Sequence, residues 1–246
     1  MVVLGTTPHV PKRHFDPGVT ICIPAYNEEE TIAQAIYEAE ETLRKAGVPG
    51  NLLALDDHSN DRTWEILQRV QKNLSHVQLR RHNVNQGIAA TFNELYQWAN
   101  RELVFLNSAD GQYKMSVLLD MLPLMDRYDL LVARRKVKHY SLRRLLISWG
   151  YNVLPVLLFG IHTYDAGSIK LVRREIYDIP VISSGVFVEA ERVIRASRRG
   201  YRIGFIDVDF FPRKAGKASG ARLALVVQSL VDLGKCWIDI VFLKRT

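Results

Sequence analysis

Three polar groups in the sequence each follow a short apolar run and mix carboxylates with side chains that bind or orient a ligand. The first is Pro24-Ala25-Tyr26-Asn27-Glu28-Glu29-Glu30. A tyrosine on such a loop can lie against a nucleobase, and Glu28 can reach a ribose hydroxyl or a ring nitrogen. The same residues also suit a helix start, with Asn27 as cap and acids in the first turn. The second group is Asp56-Asp57-His58-Ser59-Asn60-Asp61. Two adjacent carboxylates exceed what capping requires. Asp61 suits the cap of a following helix, which leaves Asp56, with Asp57 beside it, to meet a base edge. His58 reads as a loop residue. The third group is Asn107-Ser108-Ala109-Asp110-Gly111-Gln112. Its carboxylate and amide oxygen, two positions apart at Asp110 and Gln112, can ligate a hard divalent cation that bridges substrate phosphates. Taken alone, Asp110-Gly111 is equally a turn.

The elements that must carry these loops follow from the hydrophobic pattern. Val19–Pro24, Leu52–Asp56, Val77–Arg81, Leu103–Leu106 and Leu130–Ala133 are short apolar runs that read as buried strands. Between them, Glu28–Ala46, Asp61–Asn73, Gln86–Ala99 and Met115–Met125 have helical spacing. Alternation at this spacing predicts an α/β fold with a doubly wound, mostly parallel sheet flanked by helices. Ligands bind such sheets at the carboxyl ends of the strands, where all three polar groups fall.

Beyond Arg134 the composition changes. Arg134, Arg135, Lys136, Lys138, Arg143 and Arg144 form a basic run without an acid, and Leu145–His162 then carries no formal charge. That apolar length sits at the lower bound for a membrane span, but Ser148, Gly150, Asn152, Pro155 and Gly160 interrupt it. A buried or interfacial helix pair is expected instead. Ala221–Lys244 has helical period, with Gln228, Ser229, Asp232, Lys235 and Asp239 on one side and Val227, Leu230, Ile238 and Val241 elsewhere, so an amphipathic C-terminal helix is expected. The division read from the sequence is a leader over 1–18, one domain over 19–220 with halves 19–134 and 135–220, and the C-terminal helix over 221–246.

Across its 246 residues the chain carries 33 Lys and Arg against 26 Asp and Glu, a net charge of +7 that favours an anionic partner. Nucleic acid would explain the charge but not the acidic loops, and is set aside. Cys22 and Cys236 lack metal-ligand spacing, and the first residues show no signal-peptide pattern, so a cytoplasmic protein is expected.

Taken in order, IPAYNEEETI (Ile23–Ile32), LDDHSNDRT (Leu55–Thr63), NQGIAATFNELYQWA (Asn85–Ala99), NSADGQY (Asn107–Tyr113), DLLVARRK (Asp129–Lys136), YDAGSIKLVRRE (Tyr164–Glu175) and the run Ser184–Ser219 resemble the family-two inverting glycosyltransferases of the GT-A fold. The resemblance covers nearly the whole chain and is nearest to the dolichyl- and polyprenyl-phosphate sugar synthases. It implies that Pro24, Ala25, Tyr26, Glu28 and Asp56, with Asp57 and Ser108 alongside, hold a nucleoside-diphosphate sugar. It implies that Asp110 and Gln112 bind Mg²⁺ or Mn²⁺ against the diphosphate. The family's Asp-x-Asp metal motif here begins with Ser108, a departure that predicts weaker metal binding.

The stretch Phe211–Ser219 resembles the family's Arg-x-x-Gly-x-Ser loop with one residue inserted, which makes Arg213 the clamp on a phosphate. Arg135, Arg144 and Lys217 are the implied acceptor-phosphate residues. Asp165 and Glu189 are the acids of the acceptor half, with Glu191 and Arg192 expected on a solvated helix face. A hydroxyl acceptor would need one of these acids as base, whereas a phosphate acceptor is already ionised. The expected reaction is one inverting displacement at the anomeric carbon, onto a lipid phosphate at the inner membrane face. A soluble hydroxyl acceptor and a sugar-nucleotide binder without turnover are the alternatives, the second motivated by Ser108.

Overall fold

The computed structural model describes residues 16–74, 76–136, 142–213 and 223–245. Its centre is one seven-stranded sheet in the order β3-β2-β1-β4-β6-β5-β7. The strands are β1 (Asp16–Ala25), β2 (Gly50–Asp56), β3 (Val77–Arg81), β4 (Arg101–Leu106), β5 (Leu130–Arg135), β6 (Lys170–Arg173) and β7 (Ile203–Val208). Strand β6 runs antiparallel to β4 and to β5, and every other pairing is parallel. Helices α1 (Ile32–Ala46), α2 (Thr63–Asn73) and α4 (Val117–Met121) cover one face. Helices α3 (Ile88–Trp98), α5 (Leu142–Phe159), α6 (Val188–Arg198) and α7 (Leu223–Trp237) cover the other. The mostly parallel sheet with helices on both faces is the expected GT-A-type α/β architecture.

Strand alternation divides the core. Ile21, Ile23 and Ala54 pack towards α1 and α2, while Cys22, Leu53 and Leu55 pack towards α3 and α6. On α1, the buried Ile32, Ala35, Ile36, Ala39 and Leu43 recur at helical spacing, and the helix stops at Gly47 in the left-handed conformation (φ +63°) behind Arg44 and Lys45.

The boundaries differ from expectation in four places. Strand β1 begins at Asp16, inside the expected leader; Gly18 (φ +114°) lets the chain pass so close to Pro49 that a Cβ would lie 1.9 Å from its carbonyl oxygen. Strands β6 and β7 lie beyond the five strands expected from the hydrophobic pattern. The expected Met115–Met125 helix is α4 followed by a 3₁₀ turn over Leu122–Asp126 that holds Pro123 near its start. The expected helix pair is the single helix α5, with Pro155 inside it. Among the described residues no helix is long and apolar enough to cross a membrane.

Helix α7 is amphipathic in an inverted sense. Its inward stripe is Ser229, Asp232, Leu233 and Cys236, and Asp239 follows in the π turn over Ile238–Phe242. Asp232 accepts from the Gly185 backbone N–H (3.1 Å) and Asp239 from Arg195 (2.6 Å). Val227, Leu230 (53% exposed), Val231, Ile238 and Phe242 (64%) point to solvent, as do Trp149 and Leu157 on α5.

Candidate functional site

The parallel strands β1, β2 and β4 end side by side, which brings the three acidic loops to one edge of the sheet. The first two are zipped together. Asn27 sits in the left-handed conformation (φ +54°), its N–H donates to Ser59 Oγ (2.9 Å), and its Oδ1 accepts from the Asn60 N–H (2.9 Å). The Glu28 N–H donates to Thr63 Oγ1 (2.8 Å) and the Glu29 N–H to Asp61 Oδ2 (3.1 Å). Asn27 is therefore a loop clasp rather than a helix cap, and α1 begins four residues after Glu28. The cap position of α2 is Arg62 rather than the expected Asp61; Asp61, one residue earlier, accepts from the Thr63 N–H at 2.9 Å.

The paired acids after β2 take different places. Asp56 is fully buried and accepts from the Ser59 N–H and hydroxyl and from Arg81 Nε (2.9 Å). Asp57 turns to the next loop: its carboxylate accepts from His82 Nδ1 (2.6 Å) and from the backbone N–H groups of Gln86 (2.7 Å) and Gly87 (2.8 Å). Asp57 thus fastens the turn that starts α3. Tyr26 projects outward, 44% exposed, with a ring free to stack. Pro24 and Ala25 lie in the β1–β2 ladder and offer the site their backbone.

His82 bridges Asp57 and Glu94, the latter through Nε2 at 3.0 Å. Burial pushes the imidazole pKa down, but its bonds to the two carboxylates outweigh this and raise it above 6.5. The stabilisation is complete below about pH 6.5 and is lost as pH rises through the folded-state value. Expected result: the melting temperature falls on going from pH 6 to pH 9, and His82→Gln flattens that dependence. An unchanged slope in the variant would show that His82 stays neutral.

The third loop meets the β7 strap. Asp110 is 3% exposed; its Oδ1 accepts from the Gln112 N–H (3.0 Å) and its Oδ2 from Arg213 Nη2 (2.9 Å). The other arm of that guanidinium, Nη1, lies 3.5 Å from Glu28 Oε1. Glu28, 7% exposed, also accepts from Thr31 Oγ1 (2.8 Å). Burial raises its pKa, opposed by Thr31 and Arg213. The Phe211 N–H donates to the Gln112 carbonyl (3.0 Å), so strap and loop are joined at the backbone as well. Ser108 is half-buried in a narrow cleft with Thr31, Gln34 and Tyr113.

Arg135, at the end of β5, grips the Asp165 carboxylate with both Nε (2.6 Å) and Nη2. Tyr164 and Asp165 are consecutive non-glycine residues at positive φ (+51° and +74°), a strain held in place by this fork and by Asn152 Oδ1 on the Asp165 N–H (2.8 Å). Ser168 Oγ bonds Tyr113 (2.8 Å), and Phe210 packs on Tyr113 (5.2 Å) and under Arg135 (5.3 Å). These contacts make the Arg135–Asp165 pair a neighbour of the Asp110–Arg213 pair.

Glu189 lies elsewhere. Helix α6 is buried from Val188 to Ala196, so the solvated face expected for Glu191 and Arg192 does not exist. Glu191 takes Arg195 (2.6 Å) and the N–H groups of Ile182 and Ser183. Glu189 holds Lys170 (2.9 Å), whose ammonium also donates to the carbonyls of Ala166 (2.6 Å) and Ser168 (2.9 Å). It supports the strained loop from beneath instead of facing the site. Lys217 and the side chain of Arg144 lie outside the described residues.

Two contributors were missed in the sequence. Arg81 is the register partner of Asp56 in the β2–β3 ladder, so correct strand pairing would have placed them together. Lys170 opens the buried strand β6 next to Leu171 and Val172, and a charge in that setting signals a paired ion.

The fold agrees with known proteins. The profile described as Glycosyl transferase family 2 matches residues 20–179. The chain belongs to that family. The glycosyltransferase AglJ of Haloferax volcanii is 26% identical over 213 residues, covering 81% of this chain and 65% of the relative. An undecaprenyl-phosphate 4-deoxy-4-formamido-L-arabinose transferase of Pectobacterium atrosepticum is 30% identical over 165 residues, 65% of this chain and 50% of the relative. The chain thus spans about half to two thirds of these relatives' lengths. Among solved structures, glucosyl-3-phosphoglycerate synthase from Mycobacterium tuberculosis, in complex with Mn²⁺, UDP and phosphoglyceric acid, superposes with a TM-score of 0.71 at 14% identity. The match covers 90% of this chain and 78% of that one.

Proposed function

We propose that the protein is an inverting hexosyltransferase that moves a sugar from a GDP- or UDP-linked donor to a polyprenyl phosphate at the cytoplasmic face of a membrane. The observation that carries the acceptor class is the state of the two acids in the acceptor half. Asp165 is held by both arms of Arg135, and Glu189 is buried on Lys170. A hydroxyl acceptor needs a base to take its proton, whereas an ionised phosphate needs none. The solvent-facing apolar stripe of α7 supports a lipid carrier. So do the relatives, which include the undecaprenyl-phosphate transferase above and a dolichol-phosphate mannosyltransferase of Pyrococcus furiosus, 25% identical over 138 residues.

In this reading Tyr26 stacks on the base, and Glu28 and Asp56 line the nucleoside. Mg²⁺ or Mn²⁺ fits the residues present: Asp110 offers a carboxylate and Gln112 an amide oxygen, and magnesium is commonly held by one or two carboxylates plus substrate phosphates. Among the described residues no cluster of three or more His, Cys, Asp or Glu forms a complete protein cage, so the diphosphate would supply the remaining ligands. When bound, the ion neutralises charge on the diphosphate. Arg213 donates to the same leaving group, and the acceptor oxygen enters from the opposite face of the sugar. Orientation and preorganised charge supply the catalysis.

The test pairs co-sedimentation on anionic vesicles with transfer to a short polyprenyl phosphate. Wild-type protein should bind vesicles at low salt and release as salt screens Lys244 and Arg245. The double variant Val227→Glu, Leu230→Glu should lose vesicle binding and lipid transfer yet keep donor hydrolysis, because the stripe faces away from the core. Absence of vesicle binding together with transfer to a soluble hydroxyl would overturn the lipid reading. Neither transfer nor hydrolysis in Mn²⁺ buffer would leave a sugar-nucleotide binder.

A further inference from the structure

Glu28 and Asp110 are two nearly buried carboxylates that face one guanidinium. Like charges in a poorly solvated place are costly unless a cation lies between them, and Arg213 provides it. Its Nη2 is 2.9 Å from Asp110 Oδ2 and its Nη1 is 3.5 Å from Glu28 Oε1. Asp110 Oδ2 is thereby taken by the guanidinium, while Oδ1 already accepts from Gln112. A divalent ion on Asp110 would have to share its carboxylate with that positive group. The two cations therefore compete for one carboxylate. One donor of the fork, Arg213 Nε, is buried with no hydrogen-bond partner among the described residues, which leaves the planar edge of the guanidinium incompletely satisfied on its acids. A diphosphate satisfies such an edge better than two separate carboxylates do.

We propose that Arg213 is an exchangeable counter-cation: without donor it neutralises Asp110 and Glu28 in place of the divalent ion, and the donor's diphosphate draws it off as the ion arrives. The inference rests on the nucleotide-sugar reading of this edge and adds an order to it. Metal and nucleotide load together, each raising the other's affinity by the same factor, because the coupling is a free energy shared between the two sites. Metal alone must displace the guanidinium with nowhere favourable to put it. Nucleotide alone can recruit Arg213 but uncovers Asp110 beside its own negative charge.

The experiment is a titration of Mn²⁺ into the whole chain, read by the loss of the free-ion electron paramagnetic resonance signal, with and without saturating UDP and then GDP, each corrected for the Mn²⁺ that the same nucleotide binds in protein-free buffer. For the wild type, the matching nucleoside diphosphate should tighten Mn²⁺ binding about tenfold or more, within the usual range of coupling between sites. For Arg213→Ala, Mn²⁺ should bind more tightly than in the wild type when no nucleotide is present, and the nucleotide should add little. Arg213→Lys, which keeps the charge but loses the fork, should lie between the two and guards against a folding defect in the alanine variant. Unchanged or weaker Mn²⁺ binding by Arg213→Ala without nucleotide would overturn the exchange while leaving the transferase reading standing. No Mn²⁺ binding by any of the three proteins, even with nucleotide, would overturn both.

Discussion

Asp110→Asn should remove nearly all transfer while leaving the melting temperature close to that of the wild type. The carboxylate is the only one on its loop, since Ser108 stands two residues before it, and it carries both the Gln112 N–H and the Arg213 fork. Asparagine keeps the acceptor for Gln112 but takes away the charge that a divalent ion or Arg213 needs. The loss should reach at least 100-fold in kcat, the scale of removing one preorganised charge partner from a transition state. Raising the Mn²⁺ concentration should not restore it. Transfer at the wild-type rate, at any metal concentration, would remove Asp110 from the reaction.

Arg213→Ala should lower kcat by about 100-fold, again the scale of one transition-state charge partner, with a much smaller change in donor affinity. The asymmetry has a structural origin. In the ground state the arginine leaves two carboxylates to meet the diphosphate, so the binding step gains little. In the transition state charge builds on the leaving group, and the fork's contribution grows with it. Steady-state kinetics with donor varied, alongside direct nucleotide binding, separates the two effects. Weak donor binding with normal turnover at saturation would make Arg213 a binding residue only.

The N-terminal half was legible because parallel strands buried on both faces read as uninterrupted apolar runs: Val19–Pro24, Leu52–Asp56 and Leu103–Leu106 all lie within observed strands. The loops after them needed no tertiary information to be found. What they do with their side chains did. Asp56 and Asp57 look equivalent in sequence, yet one faces Arg81 and the other the start of α3, a difference set by strand order. The C-terminal half was harder. Strand β6 is four residues long and begins with a lysine, and the Phe205 and Asp207 positions of β7 are not apolar-in on a simple alternation. Helix α6 defeats the usual pattern because Glu189, Glu191, Arg192 and Arg195 are buried as ion pairs, not displayed to water. Helix α7 was found by its period, but its polar stripe turns inward to Gly185 and Arg195.

The antiparallel strand β6 also sets a timetable for the ribosome. Strands β1 to β4 can assemble as soon as residue 106 is available, because they pair with one another in the order β3-β2-β1-β4. The outer edge of β4, Leu103-Val104-Phe105-Leu106, is then a row of unpaired N–H and C=O groups flanked by apolar side chains. Among the described residues its partner is β6, which is completed at Arg173. At about 5–20 residues per second this edge stays open for roughly 3 to 13 s of synthesis. Strands β5 and β7 cannot shorten the wait, since both reach the rest of the sheet only through β6. During that interval the nascent chain carries an unpaired, apolar strand edge, the kind of feature that recruits another strand.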